Sequence, residues 1–395
     1  MMLKTRRQAH QHDLCIGCGL CSLSSGVEMI QKGGRIVPSS IVENDIVEKS
    51  CPAKGYDLKN MGNELLGDVR YRYEIGYYRK IKLAHSSDAE ILKNASSGGV
   101  MTQIALFMLS AKIVDGVISN RFVYAKDTVR TETYIATCLE DLVCGQGSKY
   151  CPTSTLAVLS KLDKDKKYLL IGTPCQIAGF RKFSSFHTEY KDIIPYTIAN
   201  FCGGYRDFRE LDYFVKEIAH IHTVTKFRHR GGGQPGSMLI EGENGECFKY
   251  PYPDYAKISH VVKNERCTLC MDATGELADF SCGDAWLKKM DKLNPWSIIV
   301  ARSSAAESIL KKMQEHGELI FREDVSEDDL IYSQKSNITS KKYRQYNRIK
   351  VRNLLLLLSP IWHDEFPIRQ GSVIGEFRII IAKKKTNIIN WLKRL

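Results

Sequence analysis

Cys15, Cys18 and Cys21 stand two residues apart, with glycines at Gly17 and Gly19, and a fourth cysteine follows at Cys51-Pro52. That spacing constrains the fold of everything around it. Three thiolates on so tight an arc take neighbouring corners of one [4Fe–4S] cubane, and Cys51 must be folded back to close the fourth. A structural zinc site favours two Cys-x-x-Cys pairs separated by a long spacer. The pattern therefore predicts a cluster, and through it a chain that moves electrons.

The remaining composition narrows the setting. With 395 residues, 43% hydrophobic and 26% charged, the chain has the make-up of an ordinary globular protein of two or three domains. No run approaches the ~18 apolar residues of a membrane span. The opening MMLKTRRQAH has no apolar segment behind its basic residues, so it does not read as a signal peptide, nor Arg6-Arg7 as a twin-arginine signal. Thirteen cysteines without an export signal predict a reducing cytoplasm and metal binding. The formal charge is +12; two oxidised cubanes with their thiolates would bring it to roughly +8. The residual basicity points to an acidic partner, an anionic substrate or a membrane surface. Lys and Arg are dispersed, and no helix-turn-helix or RNA-binding signature accompanies them, so no nucleic-acid partner is expected.

Four segments can be traced. Residues 1–66 read as a small ferredoxin-type module, with a Gly33-Gly34 turn, a strand at Arg35-Ile36-Val37, and Leu20, Val27, Met29, Ile30, Ile36 and Val37 as apolar cover. In residues 67–200, Ser96-Ser97-Gly98-Gly99 precedes a buried helix from Val100 to Leu109, and strands are expected at Val114–Ile118 and Tyr168–Gly172. In residues 201–340 lie a Gly231-Gly232-Gly233 turn, a strand at Ser297–Val300 and a helix through Leu310 and Met313. Helix and strand alternate, which predicts α/β layering. Residues 341–395 are strongly basic. Their end, FRIIIAKKKTNIINWLKRL, is read first as a terminal helix docked on its own domain or a frayed tail, with a membrane surface or partner as the alternative.

Cys175 follows a strand in Thr173-Pro174-Cys175-Gln176, and Cys202 sits in Phe201-Cys202-Gly203-Gly204. Cys267 and Cys270 have a spacing that grips a metal, iron–sulfur or zinc. Spacing alone does not join that pair to Cys175 and Cys202. The ordered segments Ser96–Gly99, Gly147-Ser148-Lys149-Tyr150, Gly172–Gln176, Phe201–Gly204, Arg266–Asp272 and Glu276–Trp286 resemble the coenzyme F420 hydrogenase/dehydrogenase beta-subunit family, which also includes the plant 7-hydroxymethyl chlorophyll a reductase. The resemblance covers roughly residues 75 to 330, and a ferredoxin-type module is a common attachment to such chains.

The resemblance implies FAD and a second [4Fe–4S] cluster, the latter held by Cys175, Cys202, Cys267 and Cys270. It implies that Ser96, Ser97, Gly98 and Gly99, with the helix they start, approach the flavin phosphates, and that Gly147, Ser148, Lys149 and Tyr150 help to hold the flavin. The residues do not distinguish FMN from FAD. The expected fold is thus α+β to α/β: a small ferredoxin-like iron–sulfur module followed by a mixed α/β flavin and iron–sulfur domain.

Other candidates are weaker. Arg228-His229-Arg230 is a basic turn near the flavin or an anionic substrate. Cys282 departs from the family pattern and reads as a small buried hydrophobe. The spacing of Cys138, Cys144 and Cys151 does not suit a third cluster, and Cys247 reads as a strand residue. Gly231–Gly236 lacks a dinucleotide fingerprint. Asp272, Glu276, Asp279 and Asp284 read as caps or ion-pair partners, with protonation of a substrate as the functional alternative. His85, His187, His229 and His260 have no ligand spacing. The expected function is a flavin- and iron–sulfur-dependent oxidoreductase that passes electrons from a ferredoxin-like donor through two clusters to FAD and an organic substrate or deazaflavin coenzyme. The alternative is an electron-transfer subunit of a larger complex with no substrate of its own.

Overall fold

An eight-stranded sheet organises the chain in the order Leu319–Arg322, Lys80–Ser86, Ser297–Ala301, Phe280–Asp284, Tyr196–Asn200, Tyr168–Gly172, Gly116–Ala125 and Thr128–Ala136. The computed structural model that shows it describes residues 2–258, 263–287, 295–322 and 325–392; His260 lies outside the described residues. The four strands from Phe280–Asp284 to Gly116–Ala125 run parallel, and antiparallel strands extend the sheet on both sides. The short apolar runs behave as a doubly covered sheet demands. Val117, Leu169 and Ile198 pack one face against the helices Val100–Ser110 and Ser304–Glu315. Their neighbours Ile118, Leu170 and Ala199 pack the other face against the helix Pro174–Phe186.

Most expected elements are found. The helix after Gly99 spans Val100–Ser110, and the late strand and helix are Ser297–Ala301 and Ser304–Glu315. The strand expected at Val114–Ile118 instead starts at Gly116 and runs to Ala125, pairing with Thr128–Ala136 in a long hairpin. Its outer half carries half-buried residues on both faces, including the Arg121–Glu132 pair, so it does not show as an apolar run. A second, three-stranded antiparallel sheet, Val224–Gly231, Ser237–Gly242 and Cys247–Pro251, has its own core around Phe208, Phe214, Phe227 and Ile240.

The first 66 residues pack into the sheet. Ile16, Cys18, Leu20, Val47 and Tyr56 share one apolar core with Ile118, Leu170, Ile177 and Phe180. The Gly33-Gly34 turn joins the antiparallel strands Met29–Lys32 and Arg35–Pro38. Leu20, Val27 and Val37 are buried as expected of cluster cover, but Ile30 is 38% exposed, because its strand is an outer edge with little packed against it. Gly19 has a left-handed φ of +104°, and a Cβ there would come within 2.3 Å of the Ala157 backbone nitrogen. Only glycine lets the cysteine arc lie so close to the body.

The basic C-terminal segment turns inward where it begins. Lys341, Lys342, Arg348 and Arg352 are each at least nine-tenths buried. The terminal helix Val373–Leu392 is docked by Glu376, which is fully buried and accepts from Arg344 Nε at 2.6 Å and Arg348 Nε at 3.0 Å. Side chains beyond residue 382 lie outside the description. No helix among the described residues is long and apolar enough to cross a membrane. Removing one partner of a buried ion pair leaves the others uncompensated. Glu376→Ala is therefore expected to cost about 3 kcal/mol, read as a lowered denaturant midpoint at unchanged slope.

Candidate functional site

The parallel strands end at one edge, and the candidate chemistry collects there. Cys15 follows the helix Arg6–Gln11, Cys21 sits on the short helix Leu20–Leu23, and Cys51 ends the helix Asp45–Ser50. These three and Cys18 lie in one charge field. Burial pushes the Cys15 thiol up to about 12, with Cys51 and Cys21 adding to it. Cys18 and Cys51 are raised by burial and again by their neighbours. Cys21 is raised by burial and pulled back by Arg6, whose buried Nη1 donates to Cys21 Sγ at 3.3 Å. The Gly17 N–H donates to Cys15 Sγ at 3.4 Å.

The second quartet assembles from four separate places. Cys175 lies in the first turn of Pro174–Phe186, at the carboxyl end of Tyr168–Gly172. Cys202 follows Tyr196–Asn200, and its N–H donates to Ala273 O at 2.9 Å. Cys267 is on the short helix Glu265–Thr268, and Cys270 follows it. Burial pushes the Cys175 thiol up, and Cys270, Cys202 and Cys267 push it further. Burial and then Cys202 push Cys267 up to about 11. Gly204, at φ +104°, places its α-carbon so that a Cβ would meet Cys267 Cβ at 2.9 Å. The structure thus brings Cys175 and Cys202 to the Cys267/Cys270 pair, a union that spacing alone left open.

Buried thiols that raise one another need positive charge to ionise, which bound iron would supply. The four thiols of each quartet match the all-cysteine ligand set of a [4Fe–4S] cubane, so the donor set fits a cluster. Lys341 adds a buried cation: its Nζ donates to Asp272 O at 2.8 Å and feels Cys270, Cys202 and Cys267. Sequence reading missed it, because a basic tail gives no sign of which lysine turns inward.

Next to the second quartet opens a cleft of about 280 Å³. Ser96, Ser97, Gly99, Gly147, Ser148, Lys149 and Tyr150 line it. Gly98 lies behind the wall, its N–H donating to Ser297 Oγ at 2.9 Å. Gly99 caps the helix Val100–Ser110 with no side-chain acceptor, and Val100, Met101 and Thr102 face the cleft. The first N–H groups of that helix are thus available to an anion. Lys149 is half-buried on the wall; its Nζ donates to Gly145 O at 2.7 Å and Gly147 O at 3.1 Å. Burial pulls its pKa down to about 8, with Cys151 opposing.

Cleft and quartet share two turns. Thr173 and Gln176 line the cleft on either side of Cys175, and Thr173 Oγ1 lies 3.3 Å from Cys175 Sγ. Asn200 and Phe201 line it immediately before Cys202. Arg230, expected near a flavin or anion, does reach the cleft. It is 1% exposed, pairs with Asp284, donates to Ser96 O at 2.5 Å and Pro235 O at 2.8 Å, and lies over the rings of Tyr252 and Trp286.

The other candidates take structural places. Asp272 Oδ1 caps the N–H groups of Thr274, Gly275 and Glu276. Asp279 accepts from Arg181 Nη2 at 2.8 Å and the Thr197 N–H at 2.9 Å. Burial raises Glu276 to about 7 against the pull of Lys342, 2.6 Å away. His229 is buried against Phe122, Phe227 and Tyr150 and pulled down to about 3 by burial. Arg228 donates to Asn94 instead of facing the cleft. His85 contacts Ser86 O and the Trp296 ring, and His187 pairs with Glu189. Cys282 is 2% exposed and raised by burial alone, but it is not only a core residue: it lines the cleft beside Asp284. Cys138, Cys144 and Cys247 are exposed, Cys247 beginning a strand, while Cys151 is buried in the core of the smaller sheet.

Residues 81–160 match the family model for the coenzyme F420 hydrogenase/dehydrogenase beta subunit N-terminal region, and residues 165–327 match that for its C terminus. The chain belongs to this family. The beta subunit of coenzyme F420 hydrogenase from Methanococcus voltae is 26% identical over 252 residues, 62% of this chain and 84% of that one. Coenzyme F420-dependent sulfite reductase from Methanocaldococcus jannaschii is 26% identical over 320 residues, 75% of this chain and 45% of that protein. A chain of the F420-reducing [NiFe] hydrogenase complex from Methanosarcina barkeri shares the fold, with a TM-score of 0.57 at 20% identity, covering 72% of this chain and 96% of that one.

Arg230 anchors the cleft wall through three polar contacts, to Asp284, Ser96 O and Pro235 O. Arg230→Met removes them and leaves Asp284 without its cation, so a loss of about 2–3 kcal/mol is expected in chemical denaturation.

Proposed function

We propose that this chain is an oxidoreductase subunit holding two [4Fe–4S] clusters and one flavin, FAD in the first instance, through which electrons pass between a ferredoxin-like partner and a small organic substrate or deazaflavin coenzyme. The observation that carries the reading is the sharing of two turns, Thr173–Gln176 and Asn200–Cys202, by the cleft and the second thiol quartet. Relatives named as a coenzyme F420 hydrogenase beta subunit and as a coenzyme F420-dependent sulfite reductase support the same class of chemistry. A cubane supplies one-electron steps and a flavin joins them to two-electron chemistry, while the protein supplies position and charge.

The residues divide that work. Cys15, Cys18, Cys21 and Cys51 would hold the first cluster in a ferredoxin-type module, and Cys175, Cys202, Cys267 and Cys270 the second. Backbone N–H groups at Val100–Thr102 and the Lys149 ammonium would meet the flavin phosphates. Arg230, locked by Asp284 and Ser96, would hold the wall rigid beside them. The second reading, an electron-transfer subunit that docks to a separate catalytic partner, is favoured by the naming of the relatives as beta subunits.

Anaerobically purified protein should contain about eight irons with matching acid-labile sulfide, and one flavin. Cys18→Ser and Cys267→Ser should each remove about four irons. Zinc in place of iron, without flavin, overturns the reading. The Lys149 ammonium supplies a pH test. Its lowered pKa means that it loses charge as pH rises through about 8. Flavin affinity, followed by fluorescence quenching, should therefore weaken between about pH 7 and about pH 9. In Lys149→Met it should be weaker throughout and lack that step.

A further inference from the structure

The two quartets are joined by side chains that neither the cleft nor the cysteine motifs account for. Arg266 is 1% exposed and sits next to Cys267 in the chain. Its guanidinium reaches across to the first module: Nη2 donates to Pro52 O and Nε to Ala53 O, both at 2.8 Å. Pro52 is the residue after Cys51. Tyr205 makes a second link. Its hydroxyl donates to Ile16 O at 3.2 Å, and Ile16 follows Cys15. The Tyr205 carbonyl in turn accepts from the Asn264 N–H at 2.9 Å, and Asn264 O accepts from the Cys267 N–H at 3.1 Å. The charges of Cys267, Cys15 and Cys175 all bear on the Tyr205 hydroxyl, which places it among thiols of both quartets. Both links meet at Cys267.

Two further contacts hold this junction together. Gly179, on the helix that carries Cys175, lies against Leu20 and Pro52 so closely that a Cβ would stand 3.2 Å from each. Lys182 on the same helix donates to Gly55 O. The junction is thus part of one packed body.

We propose that Cys267 is the corner at which electrons cross between the two quartets, with Arg266 and Tyr205 as the positioning residues that couple it to Cys51 and Cys15. The inference rests on the reading that both quartets hold clusters. Crossing oxidises one cluster by one electron and reduces the other by one, with no bond formed or broken and no proton lost. Electronic coupling falls more steeply across an open gap than along bonds and hydrogen bonds. Two hydrogen-bonded routes ending on one ligand therefore concentrate the coupling there. Tyr205 lies in none of the cysteine segments, and Arg266 opens one without being a ligand in it.

The test uses the full chain with clusters and flavin bound, in wild type, Tyr205→Phe and Arg266→Met. Iron content and the midpoint potentials of both clusters are measured first, by electron paramagnetic resonance titration. Equilibration between the clusters is then timed after laser-flash photoreduction. Tyr205→Phe deletes one hydroxyl, and it is expected to keep both clusters and both potentials while slowing equilibration several-fold. Arg266→Met is expected to slow it further. Should Arg266→Met fail to fold, Tyr205→Phe alone decides. An unchanged rate in Tyr205→Phe, or a slowing fully accounted for by shifted potentials, overturns the inference. Four irons in the wild type would instead overturn the two-cluster reading, before any variant is compared.

Discussion

Burying a thiolate away from water is costly unless positive charge lies beside it, and this chain gathers eight thiols into two such places. Much of the surrounding structure answers that constraint. Arg6 is withdrawn from solvent to meet Cys21, and Lys341 to meet Cys270, Cys202 and Cys267. Backbone N–H groups of Gly17 and Gly204 turn onto sulfur. The glycines that permit these approaches leave no room for a side chain.

The sheet converts that local chemistry into a site. Parallel strands deliver their carboxyl ends to one edge, so that Cys175 and Cys202, 27 residues apart, arrive as neighbours. The same edge opens the cleft, and no residue needs to travel between them. The second sheet brings Arg230 down onto the wall from a different part of the chain, where Asp284 fixes it. The second thiol quartet and the cleft are thereby held by the same two turns, on rigid elements instead of a mobile loop.

The sequence was most legible where chemistry forces a pattern. The Cys15–Cys21 arc, the Gly33-Gly34 turn and the apolar runs at Val100 and Tyr168 are local signals, and the structure has each of them. Seven of the eight residues expected along the flavin site line the cleft; Gly98 does not, because it is spent on packing against Ser297. The illegible parts depend on long-range pairing. The Gly116–Ala125 hairpin hides behind half-exposed residues that alternate too weakly to stand out. Asp272 and Asp279 read as caps or ion-pair partners, but which backbone groups and which arginine they meet shows only in the fold. Lys341, Arg266 and Tyr205 carry no spacing at all; their meaning comes only from what folds against them.

The C-terminal segment has a consequence of its own. Arg348, held by Glu376, also donates to Thr268 O, inside the Cys267–Cys270 loop. Arg352 pairs with Glu265, and Trp362 Nε1 donates to Leu269 O at 3.1 Å. Arg348 and Trp362 thus clasp the four-residue loop that carries two of the thiols, and Arg352 holds Glu265 just ahead of it. During synthesis that loop emerges long before its clasp does. A cluster placed on Cys267 and Cys270 before residues 348–376 are made would meet an unclasped loop, and Arg348, Glu376 and Trp362 would then close over it.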